Sequence, residues 1–237
     1  MTIHLQRDLE FLDKQLLLLS SMVEEATNKS ILALVDRRPE IAQEVIRDDD
    51  DIDQKEVLIE EECLKILALH QPVANDLRFI VAVLKVNNDL ERMGDLAVNI
   101  AERAVYLSKG DPLSVALDFP QMAEGVRNMV RKSLDALTKM DSHQAGQVLT
   151  MDDEIDDANR RMFDILQEHM LHNPTTIKRA VQLLSASRHL ERIADLATNI
   201  AEDVVYMAEG KLIRHLTENF SDLRNQSSDT KSKTAED

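Results

Sequence analysis

The strongest constraint on this chain is a segment written twice, one hundred residues apart. Leu90-Glu-Arg-Met-Gly-Asp-Leu-Ala-Val-Asn-Ile-Ala-Glu-Arg-Ala-Val-Tyr106 returns as Leu190-Glu-Arg-Ile-Ala-Asp-Leu-Ala-Thr-Asn-Ile-Ala-Glu-Asp-Val-Val-Tyr206. Aligned without a gap, 89–110 and 189–210 agree at thirteen of twenty-two positions. Similarity at a fixed spacing marks a structural unit used twice. The apolar residues of each copy fall three and four apart, which is the period of an amphipathic helix.

The flanking sequence extends that reading over the whole chain. Ile3, Leu5, Leu9, Leu12, Leu16, Leu19, Val23, Ala26, Ala33 and Leu34 keep helical spacing, so 3–36 is expected to form one long helix. Arg37-Arg38-Pro39 ends it, because proline disfavours helical geometry in the residue before it. A second helix is expected over about 39–69, with Leu64 among its apolar residues. His70-Gln-Pro72 breaks it, and a third starts at Pro72 and runs to about 108 through Val73, Leu77 and Val81. The second half follows the same plan, with helices at 115–140, 142–171 and 175–217 and a break at His172-Asn-Pro174. The expected fold is all-α. Two tandem three-helix bundles of long antiparallel helices are expected over 1–110 and 111–217, and the polar segment 218–237 is expected to be disordered.

Composition narrows the function. Only five Gly and five Pro are spread over 237 residues, which suits long helices better than many strands. Asp and Glu number 44 against 28 Lys and Arg, a net charge of −16, and aromatics are 3%. That field repels phosphate backbones and offers few rings for base stacking, so direct nucleic-acid binding is not expected. One cysteine, Cys63, fits a reducing compartment and reads as a core residue. No signal sequence or membrane span is evident, so a soluble, cytoplasmic protein is expected.

The repeated helix also carries chemistry. Glu91, Asp95, Asn99 and Glu102 lie at i, i+4, i+8 and i+11, within a sector of roughly 80° on one helix face. Glu191, Asp195, Asn199 and Glu202 do the same. A solvated face explains most polar stripes, but such a face drifts, whereas both copies keep these residues identical. Like charges four apart also cost about 0.2–0.5 kcal/mol each, so a plain surface would alternate with lysine. The second helix adds Asp49 and Asp53, and its counterpart adds Asp152 and Asp156, again four apart. Acids at a helix start complement the helix dipole, but that does not explain the spacing recurring in both halves. Facing pairs would make four-carboxylate nests suited to hard cations or carboxylate-bridged clusters.

These residues, the doubled three-helix plan and the string Asp89-Leu-Glu-Arg-Met-Gly-Asp-Leu-Ala-Val-Asn-Ile-Ala-Glu102 resemble the PhoU family of phosphate-specific transport accessory proteins. The resemblance runs over about 1–217. It implies multinuclear metal clusters, of iron or zinc, held by Asp49, Asp53, Glu91 and Asp95 in one half. In the other half Asp152, Asp156, Glu191 and Asp195 would hold them, with Asn99, Glu102, Asn199 and Glu202 as weaker assignments. Gly94 becomes Ala194 in the second copy and is expected to touch no ligand. The resemblance further implies a non-enzymatic negative regulator of phosphate uptake and starvation signalling. Its expected partners are the ATPase subunit of a phosphate ABC transporter, a sensor histidine kinase and a second copy of itself; it would reach the membrane only through the first two. The rival class is a carboxylate-bridged metal enzyme or metal store. A di-iron oxidase would want Glu-x-x-His on two helices, and no Glu here has His three residues on.

Overall fold

The computed structural model describes residues 3–210. They form α1 (Ile3–Val35), α2 (Pro39–His70), α3 (Asn75–Ser108), α4 (Phe119–Lys139), α5 (Ser142–Leu149), α6 (Asp152–His172) and α7 (Ile177–Glu209). A single 3-10 turn, Pro174–Thr176, precedes α7, and no strand occurs among the described residues.

The helices stop where local chemistry stops them. Gln71 takes a left-handed conformation (φ 45°) at the end of α2, and its N–H donates to the Leu67 carbonyl at 3.3 Å. Pro72 therefore lies in the connection, and α3 begins three residues later than expected. α4 begins at Phe119 rather than 115, with Pro120 in its first turn. The residues before it run irregularly, with Leu113, Val115 and Leu117 packed against the core in alternation. α7 ends at Gly210 (φ 72°), whose N–H donates to Tyr206 O at 2.9 Å. The expected extension to 217 and the tail at 218–237 lie outside the described residues.

The expected helix over 142–171 is broken. The Thr150 hydroxyl and N–H both donate to Gln147 O, at 2.8 and 3.3 Å, and Met151 N–H donates to Val148 O at 3.0 Å. These three-residue bonds tighten and end the turn. α6 restarts at Asp152, so Asp152, Asp153 and Glu154 occupy a first turn, where acids are favoured. α5 has its own cap: the Asp141 carboxylate accepts from His143 N and Gln144 N at 2.9 and 3.0 Å.

α3 and α7 form the centre. They pack against each other, α2 flanks α3, α6 flanks α7, and α1 with α4 backs the layer. Tyr206, near the end of α7, lies under Arg78 and Lys85 from the first half of α3, at 5.8 and 5.3 Å from its ring centre, so the two run antiparallel. Leu90, Ala97, Ile100 and Ala101 of the repeat are buried, as are Leu190, Ala197, Ile200 and Ala201, in one hydrophobic cluster that runs through both halves. The two halves thus share a core across α3 and α7.

Several apolar residues assigned to the buried face point outward. Ile3 is 81% exposed and Leu64 56%, and Val73, Leu77 and Val81 are exposed too. A true period of 3.6 drifts against a count of threes and fours over long helices, so Cys63 and Ile66 take the core side of α2 instead. Burial pushes the Cys63 thiol up to about 12, with Glu60 and Glu62 adding to it, so it is an inert core group. Leu190→Ala, at a fully buried core position, should cost about 2–5 kcal/mol, read as a lowered urea midpoint at unchanged m-value.

Candidate metal centres

Antiparallel packing of α2 on α3 brings the first set of acids face to face. A side-chain amide of Asn87 on α3 donates to the Glu56 carbonyl on α2 at 3.0 Å and sets the register. One helical stretch on, Asp49 and Asp53 meet Glu91 and Asp95. Asp49 is pushed up to about 6, by burial first and then by the charges of Asp53 and Asp95. Glu91 is raised by burial, with Asp95 and Asp53 adding to it. Gly94 belongs to this site. A Cβ there would stand 3.2 Å from Ile52 and 3.8 Å from an Asp49 carboxylate oxygen, which corrects the expectation that this position touches no ligand. The missing side chain lets α2 lie close to α3 where the acids meet.

α6 and α7 build the second set. Asp156, Glu191 and Asp195 each present a carboxylate oxygen within 4.8 Å of the others. Asp152 and Asp195 are both pushed up to about 6. Burial is the largest cause for each, followed for Asp152 by the Asp195 charge and for Asp195 by the Glu191 charge. Glu191 is raised by burial and by Asp156, against the nearby Arg188. Oδ1 of Asp152 is buried with no hydrogen-bond partner. An anionic oxygen left so is costly unless a cation or proton meets it. Arg160 reaches Asp156 at 3.6 Å from an exposed position on the same helix, a weak and displaceable contact.

All eight primary candidates therefore lie in two facing sets, one between α2 and α3 and one between α6 and α7. The donor set is all oxygen, with Asp49, Glu91, Asp152, Asp156 and Glu191 half-buried and Asp53, Asp95 and Asp195 exposed, which fits hard or borderline metal ions such as iron or zinc. Of the weaker candidates, Asn99 donates its amide to its own helix at Asp95 O, 2.8 Å, and Glu102 meets Arg103 at 2.6 Å. Asn199 and Glu202 line a cleft of about 820 Å³ together with Asp152 and Asp195. Periodicity missed the residues that enter this cleft from α3, namely Leu84, Lys85, Asn88 and Asp89, because only the α3–α7 crossing places them there. The helix-end histidines lie apart from both sets. His70 Nε2 is 3.0 Å from Asp8 Oδ2, tying α2 to α1, and His172 Nδ1 is 2.9 Å from Glu168 O of its own helix.

This arrangement has known counterparts. A PhoU domain matches residues 16–104 and again 119–204. The phosphate-specific transport system accessory protein PhoU homolog of Aquifex aeolicus is 41% identical over 209 residues, covering 88% of this chain and 95% of that one. Among solved structures, PhoU from Pseudomonas aeruginosa superposes with a TM-score of 0.84 at 37% identity, over 87% of this chain and 99% of that one. The phosphate transport system regulatory protein PhoU from Streptococcus pneumoniae gives 0.76 at 30% identity, over 88% and 98%. The family's domain, matched twice over most of the chain and supported by both sequence and fold, settles the assignment: the chain belongs to the PhoU family.

Proposed function

We propose that this chain is an accessory regulator of phosphate transport, working as a metal-bearing adaptor. Its partners in this reading are the ATPase subunit of a phosphate ABC transporter and the sensor histidine kinase of the phosphate response. In phosphate-rich conditions it holds kinase output and uptake down. The observation that carries the reading is family membership over both halves, with relatives named for the phosphate-specific transport system. The reading is non-enzymatic, cytoplasmic and homodimeric, with membrane contact made through the partners. No helix among the described residues is long and apolar enough to cross a membrane.

Two features support an adaptor. Exposed apolar residues recur at matched places, Leu77 with Ile177 and Val81 with Val181, although a solvated face has no use for them. They continue along the outward face of α3 and α7 that also carries Asp95 and Asp195. In this reading the eight carboxylates hold the metal. A bound metal would neutralise the acid sets and fix α2 against α3 and α6 against α7, so that the outward face is rigid when a partner arrives. Deleting the gene should raise alkaline phosphatase output in phosphate-rich medium by about tenfold or more, a shift of at least 1.4 kcal/mol in the controlling equilibrium. Output that stays repressed, or failure of the tagged chain to co-purify with the transporter ATPase, would overturn the adaptor role.

A further inference from the structure

Away from both acid sets, the segment that joins the halves runs past the end of α1 and the start of α7. A cavity of about 240 Å³ lies against that segment. Leu113, Val115 and Leu117 turn inward from the segment, and Leu34, Leu107 and Leu183 supply walls from α1, α3 and α7. Of its lining residues only Arg37, Asp111 and Arg179 carry charge.

The two arginines are fixed in place, one of them at a local cost. Arg37 stands in the left-handed region (φ 56°) just after α1, where Arg38 N–H donates to Ala33 O at 2.9 Å. Glycine suits such a position best. The arginine found there extends a side chain instead, and its Nη2 donates to Leu107 O at 2.6 Å and to Gly110 O. Arg179 Nη1 donates to Asp111 O. Among the described residues these bonds engage one nitrogen of each guanidinium, which leaves further N–H donors on both.

We propose that this cavity binds a medium-chain carboxylate, its alkyl chain against the leucine and valine walls and its carboxylate at Arg37 and Arg179. Three observations carry it. Apolar side chains ordinarily close on one another to crystal-like density, yet here they leave a cavity between the halves. An apolar cavity of roughly 150 Å³ already holds benzene, so about 240 Å³ admits an alkyl chain. Two guanidiniums against one carboxylate make this lining positive within a chain of net charge −16, and a guanidinium takes a carboxylate through two parallel N–H bonds. Such a ligand touches α1, α3, α7 and the joining segment at once, and so braces the joint between the halves. None of the eight metal candidates lines the cavity, so the site stands apart from the metal reading.

The test is a titration of the full chain with octanoate, followed by the methyl NMR signals of Leu113, Val115, Leu117 and Leu183. Saturable shifts confined to the cavity are expected. Binding should tighten by about fourfold per added methylene from butanoate to octanoate. 1-Octanol, which lacks the charge, and inorganic phosphate, which lacks the chain, should bind at least about tenfold more weakly. Val115→Phe, which fills the cavity, should abolish the shifts and raise the melting temperature of the ligand-free chain. Arg179→Met should weaken octanoate by about 10–100-fold, and Arg179→Lys by less, at unchanged helical signal. Shifts spread over the surface without saturation, or full binding by Val115→Phe, would overturn the site. 1-Octanol equal to octanoate, or Arg179→Met equal to wild type, would overturn the assignment of a carboxylate.

Discussion

Asp195→Asn should reduce metal affinity at the second centre by at least about 100-fold, and in the metal-free protein it should raise the melting temperature. The two effects have one cause. Asp195 lies among Asp152, Asp156 and Glu191, and its carboxyl is pushed up to about 6 by burial and by Glu191. Without metal its charge is a liability, since it repels three carboxylates that cannot move apart on rigid helices. Removing it relieves that repulsion. The side chain is more than a third exposed, so screening reduces the gain to about 0.5–1 kcal/mol, or roughly 1–4 °C in a chain of this length. The fold itself is spared, because Ile193, Ala194, Leu196 and Ala197 carry the packing on the opposite side of α7. Elemental analysis, far-UV circular dichroism and a thermal melt in chelator check all three parts. A variant that keeps its metal, or a metal-free form that melts lower than wild type, would refute the cluster. A surface carboxylate without ligand duty would move neither quantity.

Much of this is legible in the chain itself. Helical spacing, the His-x-Pro breaks and the duplicated segment give the all-α class and place the acids on helix faces, because period and punctuation are local properties. The facing of Asp49 and Asp53 on Glu91 and Asp95 follows once two antiparallel helices are joined by a short connection. Three things were not local. The break at Thr150 and Met151 turns on two carbonyls capturing the wrong donors, which no propensity flags. The outward placement of Leu64, Val73, Leu77 and Val81 depends on which neighbours cover each face of a long helix. The entry of Asn88 and Asp89 into the second cleft depends on how α3 crosses α7, and identical repeat residues cannot reveal a cleft lined at positions where the repeats differ. Gly94 shows the same limit: its role is visible only when α2 is seen to press against it.

Acidity should separate the two centres more sharply than any single substitution. In the metal-free fold, Asp49, Asp152 and Asp195 are held at about 6 against an unfolded value of 3.8. Between those values the folded chain binds more protons than the unfolded one, so its stability falls as pH rises from about 4 to 6 and levels off above. Metal reverses the slope. Each ligand must give up its proton before it can bind, so affinity climbs through the same window. Asp152 and Asp195 both titrate at the second centre, so its zinc affinity should drop by about 30-fold between pH 6 and pH 5. With Asp49 alone pushed that far at the first centre, the drop there should be nearer fivefold. Zinc titrations at pH 5, 6 and 7, paired with melts in chelator, read both slopes on one sample. Equal drops at the two centres would contradict the assignment of Asp152 and Asp195 to one site, and a flat profile would mean that carboxylates do not hold the metal. A steeper loss at the second centre means that mild acidification loosens α6 from α7 more than it loosens α2 from α3.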